Sequence, residues 1–262
     1  MRVVIKIGTS TITHESGQLN IRRMEILCKT LADLKNAGHE VLVVSSAAIA
    51  MGVGKLRLHG RPADIPGRQA TAAVGQCELI HIYDQMFLNH GHVVGQMLLT
   101  AEDIHSEERR HNLEATLFRL LELGAIPIIN ENDSVATTEL EGGVIGDNDT
   151  LSAEVAVLAK ADLLVMLTDI PGLFTADPRK DECARLIPHV TEITEEMLNS
   201  AGGSATEFAT GGMATKLEAA RMLEKEGIDM VITGGQNPEC LYEVVAGRPV
   251  GTRFAFRREE YA

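Results

Sequence analysis

Six short apolar runs alternate with longer segments of helical period: RVVIKI (2–7), EVLVVS (40–45), HVVGQMLL (92–99), AIPIIN (125–130), DLLVML (162–167) and DMVIT (229–233). The runs are almost continuously apolar, so the strands they form must be covered on both faces. That requirement selects a mainly parallel sheet with helices on either side, and the predicted fold class is α/β, a three-layer α/β/α sandwich. Within residues 21–37, Met24, Leu27, Cys28, Leu31 and Leu34 recur at three- and four-residue spacing and make one buried helix face, which Gly38 ends. Gly67 to Asn89 and Glu107 to Leu123 read as further helices. No internal repeat, low-complexity tract or Pro/Gly/Ser-rich linker interrupts the pattern, so a single domain over residues 1–262 is expected.

Composition narrows the partners. The 262 residues are 45% hydrophobic, enough for a substantial core and too apolar for a disordered chain. A net charge of -13, 3% aromatic residues and no Trp argue against nucleic acid, because the chain repels phosphate backbones and lacks stacking platforms. Apolar stretches such as VLVVSSAAIAMGVG are broken before membrane-spanning length, and MRVVIKIG reads as a strand rather than a signal peptide. Cys28, Cys77, Cys183 and Cys240 form no C-x-x-C pair and read as reduced core thiols. A cytoplasmic protein without membrane partners is expected.

Ligands of such sheets gather at the carboxyl ends of the strands. There the chain places KIGTS, SSAAIAMG, NENDSVATTE, TDIPGLFTADP and TGG, mostly small, hydroxyl or glycine residues that present backbone N–H groups to anions. Lys6 interrupts an apolar strand two residues before Gly8, a costly position unless its ammonium meets an anion or solvent. Gly8, Thr9 and Ser10 then offer a turn with backbone donors. No G-x-x-x-x-G-K-[ST] loop exists, and GVGKLR (52–57) lacks the third glycine of a dinucleotide fingerprint. ATGGMATK (209–216) sets two glycines before a helix with apolar side Met213, Leu217, Ala220 and Leu223; it reads either as a plain helix start or as a phosphate-binding N-terminus with Lys216 turned to the anion. INENDSVATTE (129–139) brings Asn130, Glu131, Asn132 and Asp133 to a strand end, more polar groups than a turn needs and suited to an amino acid's ammonium and carboxylate. GDND (146–149), ahead of a helix expected near Thr150, leaves three readings: a metal site, a helix cap by Asp147 or Asp149, or a scaffold for cations from elsewhere. No EF-hand spacing or His/Cys set supplies a protein metal cage, and His90 and His92 read as turn residues, so any Mg²⁺ would be carried by nucleotide phosphates.

Taken in order, VIKIGTS, SSAAIA, QMLLT, INENDSVAT, GDNDTLSA, LTDIPGLFTADP and TGGMATK resemble the amino-acid kinase family and, within it, the glutamate 5-kinases, over essentially the whole chain. The resemblance implies the amino-acid kinase fold and ATP-dependent phosphorylation of L-glutamate to γ-glutamyl phosphate, the first step of proline biosynthesis. It assigns Lys6 and Lys216 to the ATP phosphates and the transferring phosphoryl group, with Asp149 organising them. It places Ser46, Ala47, Asn130, Asp133 and Asn148 at glutamate, and Gly8, Thr168, Asp169, Thr210, Gly211, Gly212, Met213, Ala214 and Thr215 beside the lysines at the nucleotide. Ala47 departs from the family pattern, which commonly has glycine there. The chain stops at Ala262, soon after GTRFAF, so the resemblance implies a kinase domain without the C-terminal PUA domain many members carry. It further implies Mg²⁺ with ATP, a dimer or tetramer, and functional coupling to the reductase that consumes the product. A glutamate carboxylate, with an unperturbed pKa of about 4.3, is already ionised at neutral pH, so in-line transfer requires no general base.

Overall fold

The computed structural model describes residues 1–14, 18–136, 148–202 and 212–257. In chain order the first half holds β1 (Arg2–Ile7), α1 (Thr9–Ile12), α2 (Ile21–Asn36), β2 (Glu40–Ser45), α3 (Ala48–Leu56), α4 (Ile65–Leu88), β3 (Val94–Leu99), α5 (Ala101–His105), α6 (Glu107–Glu122) and β4 (Ile126–Glu131). There follow α7 (Asn148–Leu158), β5 (Leu163–Thr168), β6 (His189–Val190), α8 (Glu195–Gly202), α9 (Met213–Glu226), β7 (Asp229–Gly234), α10 (Cys240–Val245) and β8 (Thr252–Phe254). The strands form one sheet in the order β3-β4-β2-β1-β5-β7-β8-β6. Every pairing is parallel except β7 with β8. The expected three-layer α/β/α architecture is therefore present.

β1 lies between β2 and β5, and the chain builds outward from it in both directions. Such a switch in strand order opens a crevice at the carboxyl ends, and Lys6 stands there. Side chains alternate across a strand. Val3, Ile5 and Ile7 face the layer made by α2, α4 and α10, where they meet Met24, Leu27, Leu79 and Leu241. Val4 faces the other layer, with Ala153 and Ala156 of α7 and Leu217 and Leu223 of α9. Period two puts Lys6 on the side of Val4, beneath the two helices that carry Asp149 and Lys216.

Several boundaries differ from the sequence reading for physical reasons. α4 starts at Ile65, two residues before the expected glycine, because Asp64 accepts from Gly67 N and Pro66 sits in the first turn, where no N–H donor is needed. α7 starts at Asn148 rather than near Thr150, so Asp149 lies inside the first turn and is not the cap. α3 joins the architecture through backbone contact: a Cβ on Gly52 would meet Thr71 O at 1.9 Å, and one on Gly75 would meet Ala48 O at 1.7 Å. The two glycines thus let α4 press directly on the helix that follows the Ser46–Ala47 loop. The expectation of four core thiols is corrected: Cys28 is buried and Cys240 half-buried, but Cys77 faces solvent from α4 and Cys183 lies exposed in a turn. No helix among the described residues is long and apolar enough to cross a membrane.

Candidate active site

Helix α7 aims its N-terminus into the crevice and carries Asn148 and Asp149 side by side. With 3.6 residues per turn, neighbours on a helix point about 100° apart, so the two side chains serve different walls. Asp149 turns to β1 and α9 and is fully buried. Lys6 Nζ lies 2.7 Å from its Oδ1, and Lys216 Nζ lies 2.9 Å from its Oδ2. Thr215 Oγ1 donates to the same Oδ2 at 2.9 Å. The side chains of Lys6 and Lys216 are only 7% and 10% exposed, so burial strengthens their pull on the carboxylate. Burial by itself would raise the Asp149 carboxyl; the charges of Lys6 and then Lys216 outweigh it and hold it at about 2. At Asp149 the geometry realises the scaffold for cations, whereas Asp147, the other candidate cap in GDND, lies outside the described residues.

Lys216 belongs to the first turn of α9 and also donates to Gly212 O at 3.0 Å. A Cβ on Gly212 would stand 3.3 Å from Lys216 Nζ, tight enough to press the ammonium out of place. Met213, Gly212 and Lys216 line a cleft of about 210 Å³ with Thr168, Asp169, Ile170 and Arg179. Thr168 donates to Asp169 Oδ1 at 2.9 Å, which orders the end of β5. Ala214 packs against the core beneath, and Thr210 and Gly211 lie outside the described residues. Gly8 differs from expectation: its N–H continues the sheet to Leu167 O at 3.2 Å, so it is not an open donor. Its lack of a side chain still matters, since a Cβ there would lie 3.2 Å from that same oxygen.

Asn148 turns to β2 and β4. Its Nδ2 lies 2.8 Å from Ser46 Oγ, 3.1 Å from Asn130 Oδ1 and 3.3 Å from the Ser45 carbonyl. Asn130 in turn donates to Gln76 Oε1 at 2.9 Å. Ala47, between Ser46 and α3, adopts a left-handed conformation with φ 88°. Asp133 sits just beyond β4, and no hydrogen bond joins it to these amides among the described residues. Burial and then the neighbouring Glu131 push its carboxyl up to about 6, against a smaller opposing pull from Arg61. Sequence reasoning missed Gln76, because nothing in a lone polar residue of α4 announces a partner on a distant strand.

Two buried lysines thus share one carboxylate at the carboxyl ends of a parallel sheet, beside an amide-lined wall. The chain belongs to the amino acid kinase family, whose model matches residues 1–234. It is 46% identical over 260 residues to the glutamate 5-kinase of Clostridium perfringens, covering 99% of this chain and 97% of that one. It is 47% identical over 262 residues to that of Listeria innocua, covering 100% and 95%. The glutamate 5-kinase of Carboxydothermus hydrogenoformans is 50% identical over 254 residues, covering 97% of this chain and 67% of that protein. Among solved structures, UMP kinase from Bacillus anthracis superposes with TM-score 0.66 at 15% identity, over 98% of this chain and 96% of its own. Carbamate kinase from Giardia lamblia bound to AMP-PNP gives TM-score 0.68 at 17% identity, over 97% and 98%. At those identities the two structures speak to the fold alone, and they agree with it.

Proposed function

We propose that this chain is an ATP-dependent kinase that phosphorylates the side-chain carboxylate of L-glutamate, giving γ-glutamyl phosphate in the first step of proline synthesis. The observation that carries the reading is the buried Lys6–Asp149–Lys216 group beside the Asn148 wall, in a chain nearly half identical to glutamate 5-kinases over their lengths. The acceptor is already an anion, so the chemical difficulty is bringing it against a polyanion. Lys6 and Lys216 neutralise the transferring phosphoryl group, and Asp149 fixes where their ammonium groups point. Asp149 is no base: both its oxygens are engaged and its proton affinity is low. Lys216 spends two N–H groups on Asp149 and Gly212, which leaves the third for a phosphate oxygen.

The nucleotide lies along Thr168, Asp169 and the segment from Thr210 to Lys216. Glutamate lies against Ser46, Ala47, Asn130 and Asn148, with Asp133 at its ammonium. With both oxygens of Asp149 taken by lysines, the donor set fits a Mg²⁺ held by nucleotide phosphates and water rather than by a protein cage. Its chemistry there would be to neutralise phosphate charge alongside Lys6 and Lys216. The product is an acyl phosphate that water destroys, which supports coupling to the reductase that consumes it. A kinase domain working in the cytoplasm as a dimer or tetramer accords with this role.

A hydroxylamine trap tests the activity. Purified protein with Mg²⁺, ATP and L-glutamate, N-acetylglutamate or aspartate is scored for hydroxamate. The expected result is hydroxamate with L-glutamate alone; silence from folded, ATP-binding protein overturns the reading.

A further inference from the structure

The amides beside Asn148 run in one direction. The Ser45 carbonyl can only accept, so the atom of Asn148 that faces it at 3.3 Å is the amide nitrogen. That nitrogen also donates to Asn130 Oδ1, which turns Asn130 Nδ2 outward to Gln76 Oε1. What remains is Asn148 Oδ1, buried and without a hydrogen-bond partner among the described residues. A buried acceptor left unpaired is costly, and it is relieved by a ligand that brings a donor.

Gln76 closes the other end. Asn130 is 3% exposed, so its NH₂ has no recourse to water if Gln76 stops accepting. An Asn130 flipped to escape that penalty would set its NH₂ against the NH₂ of Asn148, pushing Asn148 away and leaving only the Ser45 carbonyl and Ser46 Oγ to hold its orientation. The position of Gln76 is itself firm, because the adjoining Gly75 packs against the backbone of Ala48 with no room for a Cβ.

We propose that Gln76 is a positioning residue: by accepting from Asn130 it locks the relay in the polarity that aims Asn148 Oδ1 at the substrate's ammonium, and so sets the preference for a free amino group. The inference rests on the glutamate kinase reading and adds to it a residue on α4 that acts through two others.

Gln76→Met keeps the length of the side chain and removes the acceptor, whereas Gln76→Glu keeps an acceptor. Steady-state kinetics should show the methionine variant with a glutamate KM raised about tenfold, and with kcat and the KM for ATP within about twofold of wild type. The inhibition constant of glutarate, which lacks the ammonium, should stay within about twofold, and Gln76→Glu should bring the glutamate KM back to within about threefold of wild type. An unchanged glutamate KM in the methionine variant overturns the proposal. So does a parallel loss of glutamate and glutarate affinity, or failure of Gln76→Glu to rescue. Should the methionine variant lose its fold, Gln76→Ala serves the same comparison. Absence of turnover in the wild type would overturn the activity reading instead, and calorimetric titration with glutamate would then read the same tenfold difference.

Discussion

Two polar clusters stand back to back on α7, one begun by Asp149 and the other by Asn148, and they are made in opposite ways. The Asp149 cluster is ionic: two lysines share one carboxylate, so a net positive charge is held out of water. The Asn148 cluster is neutral, a line of amides and a hydroxyl whose only asymmetry is the direction of its hydrogen bonds. The ionic cluster suits a task where the amount of charge decides, since any phosphate oxygen in reach is stabilised. The amide cluster suits a task where geometry decides, since a misdirected donor meets another donor. A helix can serve both because consecutive side chains leave it in different directions.

Breaking the ionic side should have the largest effect. Lys6→Ala and Lys216→Ala are expected to fold and to lose roughly 10²–10³ in kcat, as when one preorganised transition-state donor is removed. In either variant Asp149 retains one lysine. Wild-type rates in both would dissolve the comparison. Asp149→Asn leaves two buried ammonium groups without their anion and should lower stability by about 3–5 kcal/mol, read by denaturant unfolding. The acid limb follows from the same site: folded Asp149 titrates at about 2, below its unfolded range, so its stabilisation is complete above the unfolded pKa and is lost as pH falls toward 2.

The amide side should respond to pH through Asp133. Its folded carboxyl titrates at about 6, above the unfolded value, so ionising it as pH rises from about 4 to 6 diminishes stability. Binding runs the other way, because an ammonium favours the ionised form. The glutamate KM should therefore fall roughly tenfold between pH 5 and pH 7, following the ionised fraction of a group with this pKa, while the KM for ATP stays flat. Asp133→Asn should abolish the trend. A pH-dependent ATP KM, or an unchanged trend in the variant, would move Asp133 away from glutamate.

The sequence carries the ionic cluster more openly than the amide one. Lys6 is conspicuous as a charge in an apolar strand, and Lys216 follows a glycine pair at a helix start. What Asp149 does with them could not be read from GDND, since a cap and a cation scaffold use the same residue types. The ion pairs with Lys6 and Lys216 separate the two at Asp149. Gln76 was illegible because its partner Asn130 lies 54 residues away. The long strands declared themselves because burial on both faces leaves continuous apolar runs. β6 and β8, of two and three residues, are too short to show a period. α3 escaped because Gly52 and Gly54 are poor helix formers, and the reason for Gly52, contact with the α4 backbone, is tertiary.

The smallest expected effect concerns the loop that feeds the amide side. Ala47 holds φ 88° at the N-cap of α3, a left-handed conformation that costs an L-residue roughly 1–2 kcal/mol. Gly would remove that strain but enlarge the conformational freedom of the unfolded chain, a loss of roughly 0.5–1 kcal/mol against Ala. The difference leaves Ala47→Gly more stable by about 0.5–1 kcal/mol, a rise of roughly 1–4 °C in Tm for a chain of this size. The loop is pinned from behind by α4, so relief of strain should come without rearrangement of Ser46 or Asn148. The glutamate KM should then change by less than about twofold, since the acceptor and donors of the relay stay where they are. A higher Tm with unchanged KM would mean that Ala47 costs only strain and that the amides alone set affinity. A several-fold fall in KM would mean that the Cβ of Ala47 stands in the substrate's way, and that shape as well as hydrogen-bond direction governs this wall.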